Sequence, residues 1–220
     1  MQEGTDTTVP PVKVKHIQGE PSKLRTTLTR VAWMSILLGL VIEALLVASR
    51  LGAFTLEATA AELANRVSWS VIVCAGLAIG DAIAESSRPF LLGLSGLVGA
   101  PLAFAVARGA HKATADLMEI AQPADPISPL LSAGIRGVEY MCLGLVIFWL
   151  KKQPQPTVMG YMAVGLVVGL VFGSVLLMLN PAATTSVSSM LVWAVNELAF
   201  PVGCTLVLYA STAIGEKVAA

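Results

Sequence analysis

The residues best suited to chemistry in this sequence lie in one apolar stretch, residues 187–212. Glu197 and its neighbour Asn196 lie well inside this stretch, and Pro201 follows four residues later. A stretch of this length crosses a bilayer, where an ionised carboxylate is so costly that it must face protein or water. Proline has no N–H to donate to the carbonyl of Glu197, so a carboxylate and a free main-chain oxygen lie close together. This combination favours a site for a proton or small cation, and the alternative is a kinked packing helix whose glutamate is neutral or hydrogen-bonded.

Charged side chains also lie inside two other apolar stretches. Glu43 lies in the first stretch, whereas Arg136 and Glu139 lie in the fourth, three residues apart and on one helix face. At a rise of about 1.5 Å per residue, these residues and Glu197 fall within roughly 10 Å of membrane depth. We therefore expect the first, fourth and sixth helices to adjoin around three acids and one base. The surplus negative charge must be relieved by a cation, a proton or water.

The composition is that of a membrane protein. Of 220 residues, 55% are hydrophobic and 13% are charged, and the mean hydropathy is +0.77. A soluble domain has about a quarter of its residues charged. The net charge is zero, which gives no basic field for binding nucleic acid. The cysteines lie in apolar stretches without the spacing of metal ligands, and no motif identifies a cofactor, so the cofactor stays unknown.

Apolar stretches predict an all-α fold, a polytopic integral membrane bundle of six transmembrane helices. The transmembrane domain covers residues 30–214, between a polar, basic tail at residues 1–29 and a short tail at residues 215–220. Lysine and arginine are more numerous on the side of the termini, which predicts that both termini are cytoplasmic and that the protein is a multi-pass protein of the cytoplasmic (inner) membrane. The predicted spans are residues 31–49, 67–84, 89–107, 130–150, 157–179 and 187–212.

Proline and glycine mark special positions in three of these spans. Pro101 and Pro201 lie inside the third and sixth spans, where they predict helix breaks. Gly165, Gly169 and Gly173 recur every four residues in the fifth span, and this spacing predicts a close helix contact within the bundle or between subunits. The third span of each half thus carries a proline, and the first span of each half carries a glutamate. Inverted halves with broken helices are an architecture of transporters.

Two functions of different kinds fit these features. The first is a small transporter or channel-like protein that moves a proton or small cation, with a site formed by Glu43, Glu139, Glu197, Arg136 and Asn196. The second is a structural or accessory subunit of a larger membrane complex, docked through the glycine-rich fifth span, with the polar cluster joining helices. In both cases the lipid bilayer surrounds the protein, and a homo-oligomer or partner membrane subunits are expected.

An enzymatic function is disfavoured. Residues 93–96, GLSG, resemble the GxSG motif that carries the serine of rhomboid proteases, which also have six spans. Those enzymes need a histidine in the membrane as a base, but His16 and His111 do not lie in the body of a later span. A serine without a base is not activated as a nucleophile. We therefore interpret Ser95 as a packing residue.

Overall fold

The computed structural model describes residues 21–49, 55–84, 89–120, 127–180 and 185–219. These residues form helices α1 to α6, and each helix contains a segment long and apolar enough to cross a membrane. The prediction of an all-helical protein with six such helices is therefore confirmed for the described residues. The helices are α1 (Pro21–Ser49), α2 (Leu56–Ala84), α3 (Pro89–Leu117), α4 (Pro129–Lys151), α5 (Val158–Leu179) and α6 (Val187–Ala219).

Four helices extend by several residues beyond the apolar spans that predicted them. Helix α1 begins at Pro21, so residues 21–29, which we assigned to the polar tail, form its first turns. Helix α2 begins at Leu56, well before the predicted start at residue 67, while α3 and α6 continue past their predicted ends. Hydropathy marks only the part of a helix that hydrocarbon surrounds, whereas polar residues extend the same helix into headgroups or water. Residues 1–20 of the predicted tail and residue 220 lie outside the described residues.

Local residue types set the starts of α4 and α5. Pro129 occupies the first turn of α4, where its missing N–H costs nothing. The Ser128 side chain caps this helix by accepting a hydrogen bond from the N–H of Leu131. Thr157 caps α5 in the same way through the N–H of Gly160, at 3.1 Å. These caps fix the point at which each chain segment enters its helix.

The helices pack as a closed ring in chain order, because α1 also packs against α6. Helix α2 makes its most extensive contact with α3 and reaches across the ring to α6. As expected, the sixth helix packs against the first and also touches the fourth, but α2, which we did not expect there, reaches α6 as well. The reason is that α2 extends further than its apolar part, so that its polar first half also packs inside the bundle.

The interior and the outer surface are both apolar. Tyr140, Leu77 and Leu143 are fully buried, and Trp69 contacts the rings of Tyr140 and Phe200 edge-on. Many large apolar side chains face outward instead; on α5 they include Met162, Val167, Leu170, Val171 and Met178. A soluble monomer rarely exposes so much contiguous apolar surface. Lipid is the solvent that fits this surface.

Candidate functional site

Glycines hold α5 directly against the part of α6 that carries Glu197. A Cβ at Gly165 would lie 2.6 Å from the Cα of Val202, and a Cβ at Gly169 would lie 2.8 Å from the carbonyl oxygen of Glu197. Side chains do not fit at such distances, so only glycine permits this approach. A Cβ at Gly173 would lie 3.0 Å from the Cβ of Glu197. The glycine-rich face of α5 therefore lies within the bundle, where it positions Glu197.

Arg136 joins two acids from different helices. Its Nη1 donates to Oε2 of Glu139 at 2.9 Å, and its Nη2 donates to Oε1 of Glu197 at 2.7 Å. The Nδ2 of Asn196 donates to the same oxygen of Glu197 at 2.8 Å. Glu139 is completely buried and Glu197 is 4% exposed. One guanidinium thus serves two carboxylates that are almost removed from solvent.

Arg66 connects this group to Glu43. The Nη1 of Arg66 donates to Oδ1 of Asn196, and its Nη2 donates to Oε2 of Glu62 at 2.9 Å. The Nε of Arg66 lies 3.7 Å from Oε2 of Glu43, which is 3% exposed. The candidate residues Glu43, Asn196, Glu197, Arg136 and Glu139 therefore belong to one continuous network, which we call the charge network, with Arg66 as the link.

We did not predict Arg66 as a member of this network because the sequence placed it in a connector before the second span. A signal for its position was present, since Glu62 and Arg66 are four residues apart, the spacing of an ion pair along one helix face. Because α2 begins at Leu56, this pair lies on the helix, and Arg66 reaches Asn196 of α6.

A cavity of about 910 Å³ opens beside the charge network. Residues of α2, α3, α4, α5 and α6 line it, and Arg136, Asn196 and Glu197 are among them. Glu43 and Glu139 are not lining residues, so they lie behind the cavity wall. The cavity therefore gives access to one of the two acids that share Arg136. Its polar lining residues from α3 are Arg108, His111, Lys112 and Asp116.

Aromatic and polar contacts hold the cavity wall around Arg136. The guanidinium carbon of Arg136 lies 5.8 Å from the ring centre of Trp69, a cation–π distance. The Nε2 of His111 lies 3.6 Å from Oε1 of Glu62, so α3 and α2 also meet through charged groups. Trp69 therefore contacts Arg136 directly, whereas the His111–Glu62 contact joins two other residues of the cavity wall.

Each of the two acids keeps one oxygen without a donor. Oε1 of Glu139 and Oε2 of Glu197 are buried and accept no hydrogen bond from any residue that the structure describes. A buried ionised oxygen without a donor is costly, and protonation relieves this cost. When both acids are ionised, they and Arg136 together carry one net negative charge. One proton makes the group of three neutral.

The two prolines lie inside continuous helices. Helix α3 continues through Pro101 and α6 continues through Pro201, where we expected breaks. The carbonyl oxygen of Glu197, which Pro201 deprives of its usual donor, faces the backbone of α5 at Gly169. Pro101 packs on α4 beside Gly137. Each helix therefore passes its proline without interruption, with a neighbouring helix packed against it.

Two polar residues away from the network have structural partners. Ser95 donates to the carbonyl of Leu92 at 2.7 Å and lies against Gly80, which is the contact of a packing residue. Asp81, near the end of α2 that is far from the cavity, accepts hydrogen bonds from Lys151 of α4 at both oxygens, each at 2.7 Å. This ion pair joins α2 to α4 at the opposite end of the bundle from the cavity.

No protein-family model, curated protein or solved structure matches this chain. The function is therefore inferred from the geometry of the charge network and its cavity.

Proposed function

We propose that the protein is a small integral membrane transporter or channel-like protein that moves protons through the charge network. The observation that carries this proposal is that Glu139 and Glu197 share Arg136 at the wall of an open cavity. Two acids and one base form a group that accepts one proton without leaving any buried charge uncompensated. A buried charged group inside a membrane helix is typical of proton relays.

A proton suits this group better than a metal cation. The guanidinium of Arg136 occupies the space between the two carboxylates and is bonded to one oxygen of each. A metal cation would have to displace Arg136, because it needs several oxygen ligands around it. A proton needs only the one oxygen of each acid that has no donor.

The order of proton transfer follows from access. Glu197 lines the cavity and receives the proton first, which weakens its attraction to Arg136. Arg136 then remains bonded to Glu139, its neighbour on α4. Transfer of the proton to Glu139 requires the helices to rearrange. This rearrangement involves the far end of the bundle, where Asp81 and Lys151 form their ion pair. With both termini in the cytoplasm, as the distribution of lysine and arginine favours, the cavity opens to the outside of the cytoplasmic membrane.

A flux measurement on Glu197→Gln tests the proposal. The purified protein is placed in liposomes that contain a pH-sensitive dye, and a pH gradient is applied. Glutamine keeps the shape of the side chain and its contact with Arg136 but cannot carry the proton. We expect the proton flux of the wild-type protein to fall to the level of empty liposomes.

The matched control is Glu57→Gln, which neutralises an exposed acid in the first turn of α2. We expect its flux to equal that of the wild-type protein. Normal flux in folded Glu197→Gln protein would refute the proposal.

The second function that the sequence allowed, an accessory subunit docked through the fifth span, has weaker support. Its docking surface was the face of Gly165, Gly169 and Gly173, and this face packs against α6 of the same chain. A partner subunit or a second copy would therefore have to bind elsewhere on the lipid-facing surface.

A further inference from the structure

Helices α2 and α6 pack side by side, and successive contacts between them are separated by nearly the same number of residues on each helix. We call this contact the α2–α6 seam. Arg66 bonds to Asn196, and eight residues further along both helices Cys74 contacts Cys204. The rings of Trp69 and Phe200 meet between these two contacts, with centres 6.3 Å apart. Both helices therefore run in the same direction here. At about 1.5 Å per residue, the cysteines lie roughly 12 Å from the Arg66 contact.

The two cysteines form a contact that the charge network does not use. Their sulfur atoms are 3.3 Å apart, both side chains are completely buried, and neither forms a disulfide in this structure. A disulfide has its sulfurs about 2.05 Å apart, so closing the bond needs a movement of about 1.2 Å. A change of this size is available to side chains that already touch.

We propose that Cys74 and Cys204 form a reversible disulfide that locks the α2–α6 seam. The oxidant is a membrane-soluble quinone, because both sulfurs are fully buried away from water in helices long and apolar enough to cross a membrane. Two S–H bonds break and one S–S bond forms. Both electrons and both protons pass to the quinone, which leaves as the hydroquinone. Transfer of electrons from thiols to quinone, through a dedicated enzyme, is also how periplasmic disulfides are made.

Access to the sulfurs requires the seam to open briefly. The contact of α2 with α6 is much less extensive than its contact with α3, so the seam is the side of α2 that separates more easily. Once formed, the disulfide ties Cys74 to Cys204 and holds the seam closed between the charge network and the far end of the bundle. The effect on proton movement rests on the proposed function, whereas the formation of the disulfide does not.

Oxidation of the full-length Cys142→Ser protein in liposomes tests the proposal, since this background leaves only the two seam cysteines. The probe is duroquinone, a fully substituted quinone that does not form stable thiol adducts. After treatment the protein is denatured, and its free thiols are labelled with a maleimide and counted by intact-protein mass. We expect two labels before oxidation, and none afterwards together with a mass lower by two hydrogen atoms.

A variant with Cys74→Ser in the same background is the matched control, and it should keep one label after oxidation. Two labels remaining on the Cys142→Ser protein after prolonged treatment would overturn the disulfide. Proton flux is then measured before and after oxidation, and again after a membrane-permeant thiol reductant. We expect flux to be lost and then recovered. Unchanged flux in the oxidised protein would overturn the lock, whereas absent flux in the reduced protein would overturn only the proposed function.

Discussion

Arg136 donates one hydrogen bond to Glu139 and one to Glu197, so a single cation serves two buried acids. Removing one partner of a buried ion pair leaves the remaining charge without compensation, and this costs more than the pair itself contributes. The trio that we propose as the proton site therefore also determines whether α4 and α6 stay together at this depth. Stability and the proposed proton binding would then depend on the same three side chains.

Arg136→Met should lower the free energy of unfolding by about 3–5 kcal/mol, because both carboxylates lose their cation. Unfolding in detergent, followed by circular dichroism against denaturant concentration, measures the loss. Adding Glu139→Gln and Glu197→Gln to this variant removes the uncompensated charges, so the triple variant should recover most of the stability. Lys112→Met, which removes an exposed cation from the same cavity, should leave stability unchanged. Equal losses in the single and triple variants would contradict the charge argument.

At the level of elements, the contact of α5 with α6 depends on the absence of side chains. Gly165 lies so close to Val202 that even a methyl group has no room, and the neighbouring atom is backbone, which cannot move aside cheaply. The glycines of α5 therefore decide how close α6 approaches, and with it the position of Glu197 relative to Arg136.

Gly165→Ala should destabilise the protein by about 1–3 kcal/mol, the range for an added methyl group in a packed core. Gly134→Ala is the control, because a Cβ at this position on α4 meets no atom within 4 Å. That change should be neutral or slightly stabilising, since alanine favours a helix more than glycine does. Thermal unfolding of the two variants in the same detergent compares them directly. A similar stability for both variants would mean that α5 does not pack tightly on α6 in the folded protein.

Hydropathy and spacing were enough to predict the helices and most of the network, but they could not predict which helices meet. Glu43, Glu139 and Glu197 were identified because each is a charge inside an apolar stretch, and the structure joins them through one network. Arg66 was missed because it lies where α2 is too polar to register as a span. The pairing of α2 with α6 depends on long-range packing, which periodicity along a single helix does not encode.

At the scale of the whole molecule, the two ends of the bundle differ. One end opens into the cavity beside Glu197, whereas at the other end the ion pair of Asp81 with Lys151 joins α2 to α4. Buried apolar side chains and the two seam cysteines lie between the ends. A proton that crosses must pass this closed part, so opening of the far end is a requirement of the proposed function.

Asp81→Asn should make the far end of the bundle open more often. The rate of maleimide labelling of Cys74 and Cys204, in the Cys142→Ser background, measures this opening. The two residues of the ion pair are about a quarter and a third exposed, so the pair contributes less than about 1 kcal/mol and labelling should rise at most about five-fold. Exchanging the charges, with Asp81→Lys and Lys151→Asp together, should return labelling to the starting rate. Lys152→Gln, which removes the adjacent lysine that lies over Phe148, should have no effect. Unchanged labelling in Asp81→Asn would rule out a closing role for the pair.

The charge balance of two acids and one arginine also determines how the membrane voltage acts on the protein. With its proton bound the trio is neutral, so the electric field does no work when the loaded site moves through hydrocarbon. The empty site carries one negative charge, for which 100 mV corresponds to about 2.3 kcal/mol. If both termini are cytoplasmic, as we propose, the cavity opens at the outer face, and in a membrane that is negative inside this field drives the empty site toward that face. The resting potential would thus return the empty carrier to collect the next proton, and net movement would be inward.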